Sequence, residues 1–393
     1  MSEWKQRPLH EVVVIERISV DASAIADGTI YVGLENINSG GGFANVQSVA
    51  SGELASSKFS FTERHVLYGK LRPYLAKIAR PSFSGVCSTD ILPILPKPEL
   101  DRDYLTHFLR QPTMIEYANS RATGANLPRL SPKTLADFQI PLPPLSEQKG
   151  IAAILDQADA LRAKRRQTIE KLDTLTQSIF LDMFGDAKRL GWPEKAITAV
   201  SDRIRTGPFG SQLLHSEFVG SGIAVLGIDN AVNNQFAWAR PRYITMNKFQ
   251  QLKRYKVSPG DVLITIMGTC GRCAIVPDDV PLAINTKHLC CITLDPMQCL
   301  PEYLHACFLR HPRVLTRLGV RVRGAVMPGL NMQVIKELVI PLPPLPVQNE
   351  FAEWAKAIER LKQTQRASLA KLDELFGSLQ QRAFKGELQE NRK

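Results

Sequence analysis

Ile140-Pro141-Leu142-Pro143-Pro144-Leu145-Ser146-Glu147-Gln148 returns 200 residues later as Ile340-Pro341-Leu342-Pro343-Pro344-Leu345-Pro346-Val347-Gln348. Both copies lead into a long helical pattern, and the patterns stay in register to their ends, Lys171-Leu172-Asp173 answering Lys371-Leu372-Asp373. Upstream at the same spacing, Gly124-Ala125-Asn126-Leu127-Pro128-Arg129-Leu130 matches Gly324-Ala325-Val326-Met327-Pro328-Gly329-Leu330, and Phe108-Leu109-Arg110 matches Phe308-Leu309-Arg310. Further up the match loosens. Val66-Leu67-Tyr68-Gly69-Lys70-Leu71 is comparable with Val257-Ser258-Pro259-Gly260-Asp261-Val262, offset 191, and Val32-Gly33-Leu34-Glu35-Asn36 with Leu226-Gly227-Ile228-Asp229-Asn230, offset 194. The chain is therefore one unit built twice. The period far exceeds the roughly 20–50 residues of stacked solenoid repeats, so each copy reads as a globular body followed by a long helix. A scaffold that keeps its spacing while body loops vary is what two recognition surfaces for different targets need.

The boundaries this implies are a first body over 1–143, a first long helix over 144–186, a second body over 187–343, a second long helix over 344–386 and a tail over 387–393. A chain of 393 residues has room for two such cores. The bodies read as mixed α/β. Val12-Val13-Val14-Ile15, Ile91-Leu92-Pro93-Ile94-Leu95, Val262-Leu263-Ile264-Thr265-Ile266 and Leu289-Cys290-Cys291-Ile292-Thr293-Leu294 are short apolar or β-branched runs bounded by turn residues, as strands are. Arg102 to Tyr117 and Glu302 to Leu315 carry helical spacing.

In the long helices, with Ser146 as expected N-cap, apolar residues step by three and four through Ile151, Ile154, Ala158, Leu161, Leu172, Leu175 and Ile179. The second copy places Phe351, Trp354, Ile358, Leu361, Leu372, Leu375 and Leu379 in the same frame. This is the seam of a coiled coil, interrupted at matching points by Arg165 and Thr168, and by Gln365 and Ser368. Matched polar layers predict that the two helices pair with each other, antiparallel. Roughly 38 residues at 1.5 Å rise give a rod of about 57 Å.

The formal charge is +11, an excess that points to a polyanionic partner, nucleic acid above all. The seven cysteines, an odd number without a secretory leader at Met1-Ser2-Glu3-Trp4-Lys5, read as free thiols in a cytoplasmic protein. No apolar run approaches the roughly 20 residues of a membrane span.

No catalytic motif emerges. Gly268-Thr269-Cys270-Gly271-Arg272-Cys273 echoes the glycine content of a phosphate loop but lacks its lysine. There is no Asn/Asp-Pro-Pro-Tyr/Phe run, His-Glu-x-x-His or nucleophile elbow. Cys270 and Cys273 with Cys290 and Cys291 have the count for zinc, yet adjacent strand residues point to opposite faces, so no metal site is expected.

For DNA contact, Lys70, Arg72, Tyr74, Lys77 and Arg80 place four cations and an aromatic within eleven residues. In the second body, Arg205, Thr206, Gly207, Ser211 and Gln212 form a glycine-punctuated loop bearing the guanidinium and amide groups that read base edges. Lys287, His288, Arg321 and Arg323 are weaker candidates. The basic run Arg162 to Arg166 reads either as a phosphate-facing strip or as a wet helix face.

Two copies of Ile-Pro-Leu-Pro-Pro-Leu, each followed by a glutamine-bearing helix, with Thr206-Gly207-Pro208-Phe209-Gly210-Ser211 opening the second body, resemble the specificity subunit of type I restriction-modification systems. The resemblance covers nearly the whole chain, and it implies a subunit without catalysis of its own. Two target-recognition domains would read the halves of a split, asymmetric site on double-stranded DNA. An antiparallel coiled coil would set their spacing, about 17 base pairs along a 57 Å rod. By the same resemblance, two methyltransferase (modification) subunits carrying S-adenosylmethionine would dock on the helices and scaffold, and restriction/translocase subunits would bring ATP and Mg. No cofactor is expected on this chain. Pro141, Pro143, Pro144, Gln148, Pro341, Pro343, Pro344 and Gln348 become the scaffold and docking elements. Pro346 and Val347 depart from the Ser-Glu form of the first copy, which puts capping of the second helix in question. Two other readings stay open: a self-contained DNA methyltransferase or nuclease with an unrecognised motif, and a coiled-coil adaptor that binds protein only.

Overall fold

The structure, a computed structural model, describes residues 4–186, 191–238, 240–319 and 330–388. It divides into two compact units, 1–166 with 367–393, and 167–366. Arg321, Arg323 and the repeat segment 324–329 lie outside the described residues.

In the first unit a four-stranded antiparallel sheet is built from β1 (Val13–Ile15), β3 (Val66–Gly69), β4 (Ile78–Ala79) and β6 (Ile91–Pro96), in the order β1-β6-β3-β4. A second sheet of five strands contains β2 (Thr29–Val32) running parallel to β5 (Gly85–Cys87). Helix α1 (Arg102–Leu109) follows β6; Asp101 caps it by accepting from the Asp103 and Tyr104 amides. Its inner face joins Val66, Leu92, Ile94, Leu130 and Phe138 in one apolar core.

The second unit repeats this plan. β7 (Ser201–Thr206), β9 (Val262–Thr265), β10 (Cys273–Ile275) and β12 (Leu289–Leu294) are ordered β7-β12-β9-β10. Beside them β8 (Ile223–Leu226) runs parallel to β11 (Ala283–Asn285). Every residue of β9 is buried, as a continuous apolar run between turn signals requires. Cys290 and Cys291, neighbours on β12, enter different apolar clusters; Cys291 Sγ sits 3.2 Å from Asp261 Oδ2.

The repeated proline segment closes each body as an edge ladder. Gln6–Pro8 pairs with Gln139–Pro141, and Glu194–Ala196 with Val339–Pro341; proline is tolerated where a strand has only one partner. Tyr104 Oη donates to the Pro141 carbonyl, as Tyr303 Oη does to that of Pro341. The long helices α2 (Leu145–Phe184) and α4 (Leu345–Phe384) follow, α4 preceded by α3 (Pro301–Arg310). Both start alike, with the carbonyl of Pro144 or Pro344 accepting from the glutamine amide four residues on. Ser146 is thus inside the first turn and is not the N-cap. Pro346 costs nothing there, because first-turn N–H groups lack helical partners anyway.

The helix segments within each unit pair antiparallel, but not through the expected seam. In the first unit Arg162 Nε meets Asp373 Oδ1 at 2.6 Å, Arg166 reaches the same oxygen at 3.1 Å, and the Arg162 guanidinium stacks 4.2 Å over the Phe376 ring. In the second unit Lys362 Nζ meets Asp173 Oδ1 at 2.6 Å. Ile151, Ala152, Leu155 and Ala158 bury against the first body's core, and Phe351, Ala352 and Ile358 are likewise buried. Of the other expected seam residues, Ile154, Leu161, Leu175, Trp354, Leu361 and Leu375 are 42–54% exposed, Leu172 and Leu372 are half-buried, and Ile179 and Leu379 pack, partly buried, against the second and first cores. Within each unit the two helix segments must cover the body as well as each other, Phe180 and Phe184 entering the second core and Ala383 the first. Its apolar residues therefore divide between faces instead of forming one stripe.

Candidate nucleic-acid interface

Strand for strand, β3 and β4 correspond to β9 and β10, so their connecting tips are counterparts: Lys70–Lys77 in the first body and Ile266–Arg272 in the second. Val66–Leu71 therefore answers Val262 onward rather than Val257–Val262, a five-residue correction to the register read from sequence. The turn before each strand confirms it, since the Thr62 amide donates to His65 Nδ1 at 3.0 Å and the Ser258 amide to Asp261 Oδ2 at 2.9 Å. The glycine-rich 268–272 segment, read from sequence as a failed phosphate loop and as part of a rejected zinc set, belongs to the second body's tip. A strand-by-strand register would have found it.

Each tip lies beside the loop after the parallel strand pair. The Lys70 amide donates to the Asp90 carbonyl and the Ile266 amide to that of His288. In the first body the Gly33 amide donates to Asn36 Oδ1 at 2.8 Å, and in the second the Gly227 amide donates to Asn230 Oδ1 at 2.8 Å. The weakly matching Val32–Asn36 and Leu226–Asn230 segments are thus the same asparagine-locked loop.

The first body's cations sort sharply. Lys70 Nζ is 3.8 Å from Asp90 Oδ1, a carboxylate that also receives Arg129 at 3.0 Å. Lys77 Nζ donates to the Leu34 carbonyl. Arg80 forks onto Asp156 of α2 at 2.8 and 3.1 Å and reaches Asp103 at 3.0 Å. His107 Nε2 meets the same Asp156 carboxylate at 2.7 Å, and Gln380 Nε2 donates to the His107 carbonyl. Burial pushes the Asp156 carboxyl up, but the His107 and Arg80 hydrogen bonds outweigh it and hold the group well below the usual carboxylate range. Arg80 is therefore a strut between body and helix, and Lys77 is a loop brace. Arg72 and Tyr74 are exposed, and neither side chain has a hydrogen bond or ion pair among the described residues.

In the second body Arg205 is a correction. Its side chain is 9% exposed and locked 2.9 Å from Asp261 Oδ2, with Thr293 Oγ1 and the Lys256 carbonyl as further acceptors. It braces the sheet and cannot read a base. Gly207 packs so closely that a Cβ would stand 2.0 Å from the Asn285 carbonyl oxygen, which is why glycine is required there. That contact brings the 207–212 loop against the turn carrying Lys287 and His288, both half-buried; burial, then Lys287 and Arg242, push the His288 imidazole below its ordinary value. Thr206 is half-buried, whereas Ser211 and Gln212 are exposed. Gln212 Oε1 is held by Tyr255 Oη at 2.8 Å and the Phe209 amide. That leaves its amide nitrogen as the donor to an external group. Arg242, paired with Asp229 in the neighbouring loop, was not singled out from sequence, because nothing local marks it.

Of the scaffold residues, Pro141, Pro143, Pro341, Pro343, Gln148 and Gln348 are buried, whereas Pro144 and Pro344 are exposed. Gln148 Nε2 donates to the Pro143 and Glu99 carbonyls while Oε1 accepts from the Asp101 amide. Gln348 does the same with Pro343, Gln298 and Leu300. Both glutamine side chains thus lock the junction of body and helix from the inside.

A cleft of about 1140 Å³ opens in the second unit between the body and α4. On its walls His305 Nε2–H donates to the Asn234 and Cys273 carbonyls, and Lys356 pairs with Glu302. Among the described residues no group of three or more His, Cys, Asp or Glu could hold a metal, and no helix is long and apolar enough to cross a membrane.

The family model described as type I restriction modification DNA specificity domain matches residues 1–171 and 221–373. The chain is similar to the type I restriction enzyme EcoBI specificity subunit of Escherichia coli, 27% identical over 309 residues, covering 70% of this chain and 64% of that protein. It is 24% identical over 348 residues to the EcoKI specificity subunit of E. coli strain K12, covering 78% and 69%. This chain thus spans just under two thirds of the first relative's length. In fold it resembles the S subunit of a type I restriction-modification system from M. genitalium, with TM-score 0.58 at 12% identity, covering 97% and 96% of the two chains.

Proposed function

We propose, from the premise that this chain belongs to the type I restriction modification DNA specificity domain family, that it is the non-catalytic DNA-reading subunit of a restriction-modification complex. Its bodies, 1–143 and 187–343, each read one half of a bipartite, asymmetric duplex site, and the paired helices set the unread gap. The observation that carries this reading is the repeated loop cluster. Both bodies place a projecting tip beside an asparagine-locked loop, on matching frames, yet the tips differ in length and chemistry. Conserved framing with divergent tips suits two different short targets joined by fixed geometry, where the second contact is effectively intramolecular.

The partners are two modification subunits, which bring S-adenosylmethionine and methylate adenine, and restriction subunits, which bring ATP and Mg. The surface offered to the modification subunits is the outward apolar residues of the helices: Ile154, Leu161 and Leu375 in the first unit, Leu175, Trp354 and Leu361 in the second. An amphipathic helix of a partner would lay its apolar face there.

Strand-resolved mapping of methylated adenines in cells carrying the chain with its modification subunit tests this. Two half-sites with a constant gap are expected. Exchanging residues 1–139 for those of a relative should change one half-site only; a change in both halves, or methyl transfer by the chain alone, would reject the reading.

A further inference from the structure

Arg72 holds φ +51° and ψ 67°, the left-handed region that is unfavourable for any residue with a side chain. The counterpart position in the second body's tip is Gly268, with φ +72°, where no such cost arises. Ala76, at the other end of the same turn, is also left-handed, φ +50°. The first body thus keeps a side chain where the fold favours glycine.

The turn is braced. The Arg72 amide donates to the Pro128 carbonyl at 2.7 Å, the Leu130 amide to the Lys70 carbonyl at 2.9 Å, and Leu71 is bridged to Arg129. Pro73 is buried beneath it, while Tyr74, Leu75 and nearby Leu127 are 51%, 37% and 45% exposed. Such a turn holds its apex in one pose before any ligand arrives.

The neighbouring cations each have a partner inside the protein, Lys77 on the Leu34 carbonyl and the others on carboxylates. Asp90 takes Lys70 and Arg129, and Asp156 takes Arg80. A phosphate clamp needs several free cations; here, among the described residues of the tip, Arg72 is the guanidinium without a hydrogen bond or ion pair, and it stands among apolar groups. That combination matches a base edge in the major groove, where arginine forks onto guanine O6 and N7 and apolar atoms meet a thymine methyl.

Resting on the functional reading above, we propose that Arg72 is the specificity-determining residue of the first body, reading a guanine in its half-site, with Tyr74 and Leu75 against the adjoining base pair.

The test maps adenine methylation in cells carrying the full complex with wild-type chain, Arg72→Ala or Arg72→Gly, followed by methyl transfer by the purified complexes on duplexes substituted one pair at a time. One G·C pair in one half-site should become degenerate, with discrimination there falling tenfold or more, while the other half-site and the gap stay fixed. Arg72→Gly, which relieves the backbone, should keep or raise the melting temperature, so the loss cannot be ascribed to misfolding. Uniform weakening on every duplex with a shallower salt dependence would assign Arg72 to a phosphate and overturn the proposal; so would loss of the modification subunit from the complex, which would mark a protein contact. If the wild-type complex itself lacked a bipartite site, the functional reading would fall and this assignment with it.

Discussion

Arg205 Nη2 lies 2.9 Å from Asp261 Oδ2, with 9% and 1% of the two side chains exposed. Asp261 also accepts from Thr293 Oγ1 at 2.6 Å and from the Ser258 amide at 2.9 Å, so a single carboxylate ties β7, β9 and β12 together. The arginine that looks like a base reader in the sequence is a structural residue of the second body.

Removing one member should leave the other buried and uncompensated. Asp261→Ala is expected to cost about 3–5 kcal/mol, read as a lower urea midpoint for the second unit. The double change Arg205→Met with Asp261→Leu should recover most of that loss. Equal destabilisation by the single and double variants would show that the pair is not what holds the strands.

Gln148 and Gln348 each satisfy two carbonyls and one amide at the junction of body and helix. Gln148→Leu or Gln348→Leu keeps the volume but orphans one buried carbonyl and two part-buried groups, so each should cost about 2 kcal/mol. Gln148→Glu should do no better, because a carboxylate cannot donate to either carbonyl. A neutral effect in thermal melting would mean that water replaces the amide.

Acidification should act through Asp156. Its folded-state value is depressed, so its contribution is complete above the unfolded carboxyl value near about 3.9 and is lost as pH falls through the folded value. The stability difference between wild type and Asp156→Asn should therefore shrink as pH falls below about 4. A difference that persists unchanged at pH 3 would assign the effect to shape rather than charge.

The outward apolar residues make the opposite prediction. Leu161→Glu and Leu361→Glu should leave the chain's own stability within about 0.5 kcal/mol, while co-purification with the modification subunit drops sharply. Retained assembly in both variants would place the partner elsewhere.

The duplication, the closing proline segment and the extent of both long helices were legible in the sequence, because each rests on spacing and local backbone preference. The repeat at 200 residues survives as paired edge ladders and matching glutamine locks. Three things were not legible. Which helical leucines turn inward depends on covering a body and a second helix together, so Ile154 and Leu161 read as seam but lie exposed. Which cations are free depends on carboxylates far along the chain: Asp156 neutralises Arg80 and Asp261 neutralises Arg205, at separations of 76 and 56 residues. The tip register was hidden because loop lengths differ between the bodies, and only strand pairing restores it. Periodicity is written into neighbouring residues and can be read along the chain. The fate of a charge or of one helix face is settled by what tertiary packing brings opposite it, and for Arg72 that packing left nothing among the described residues.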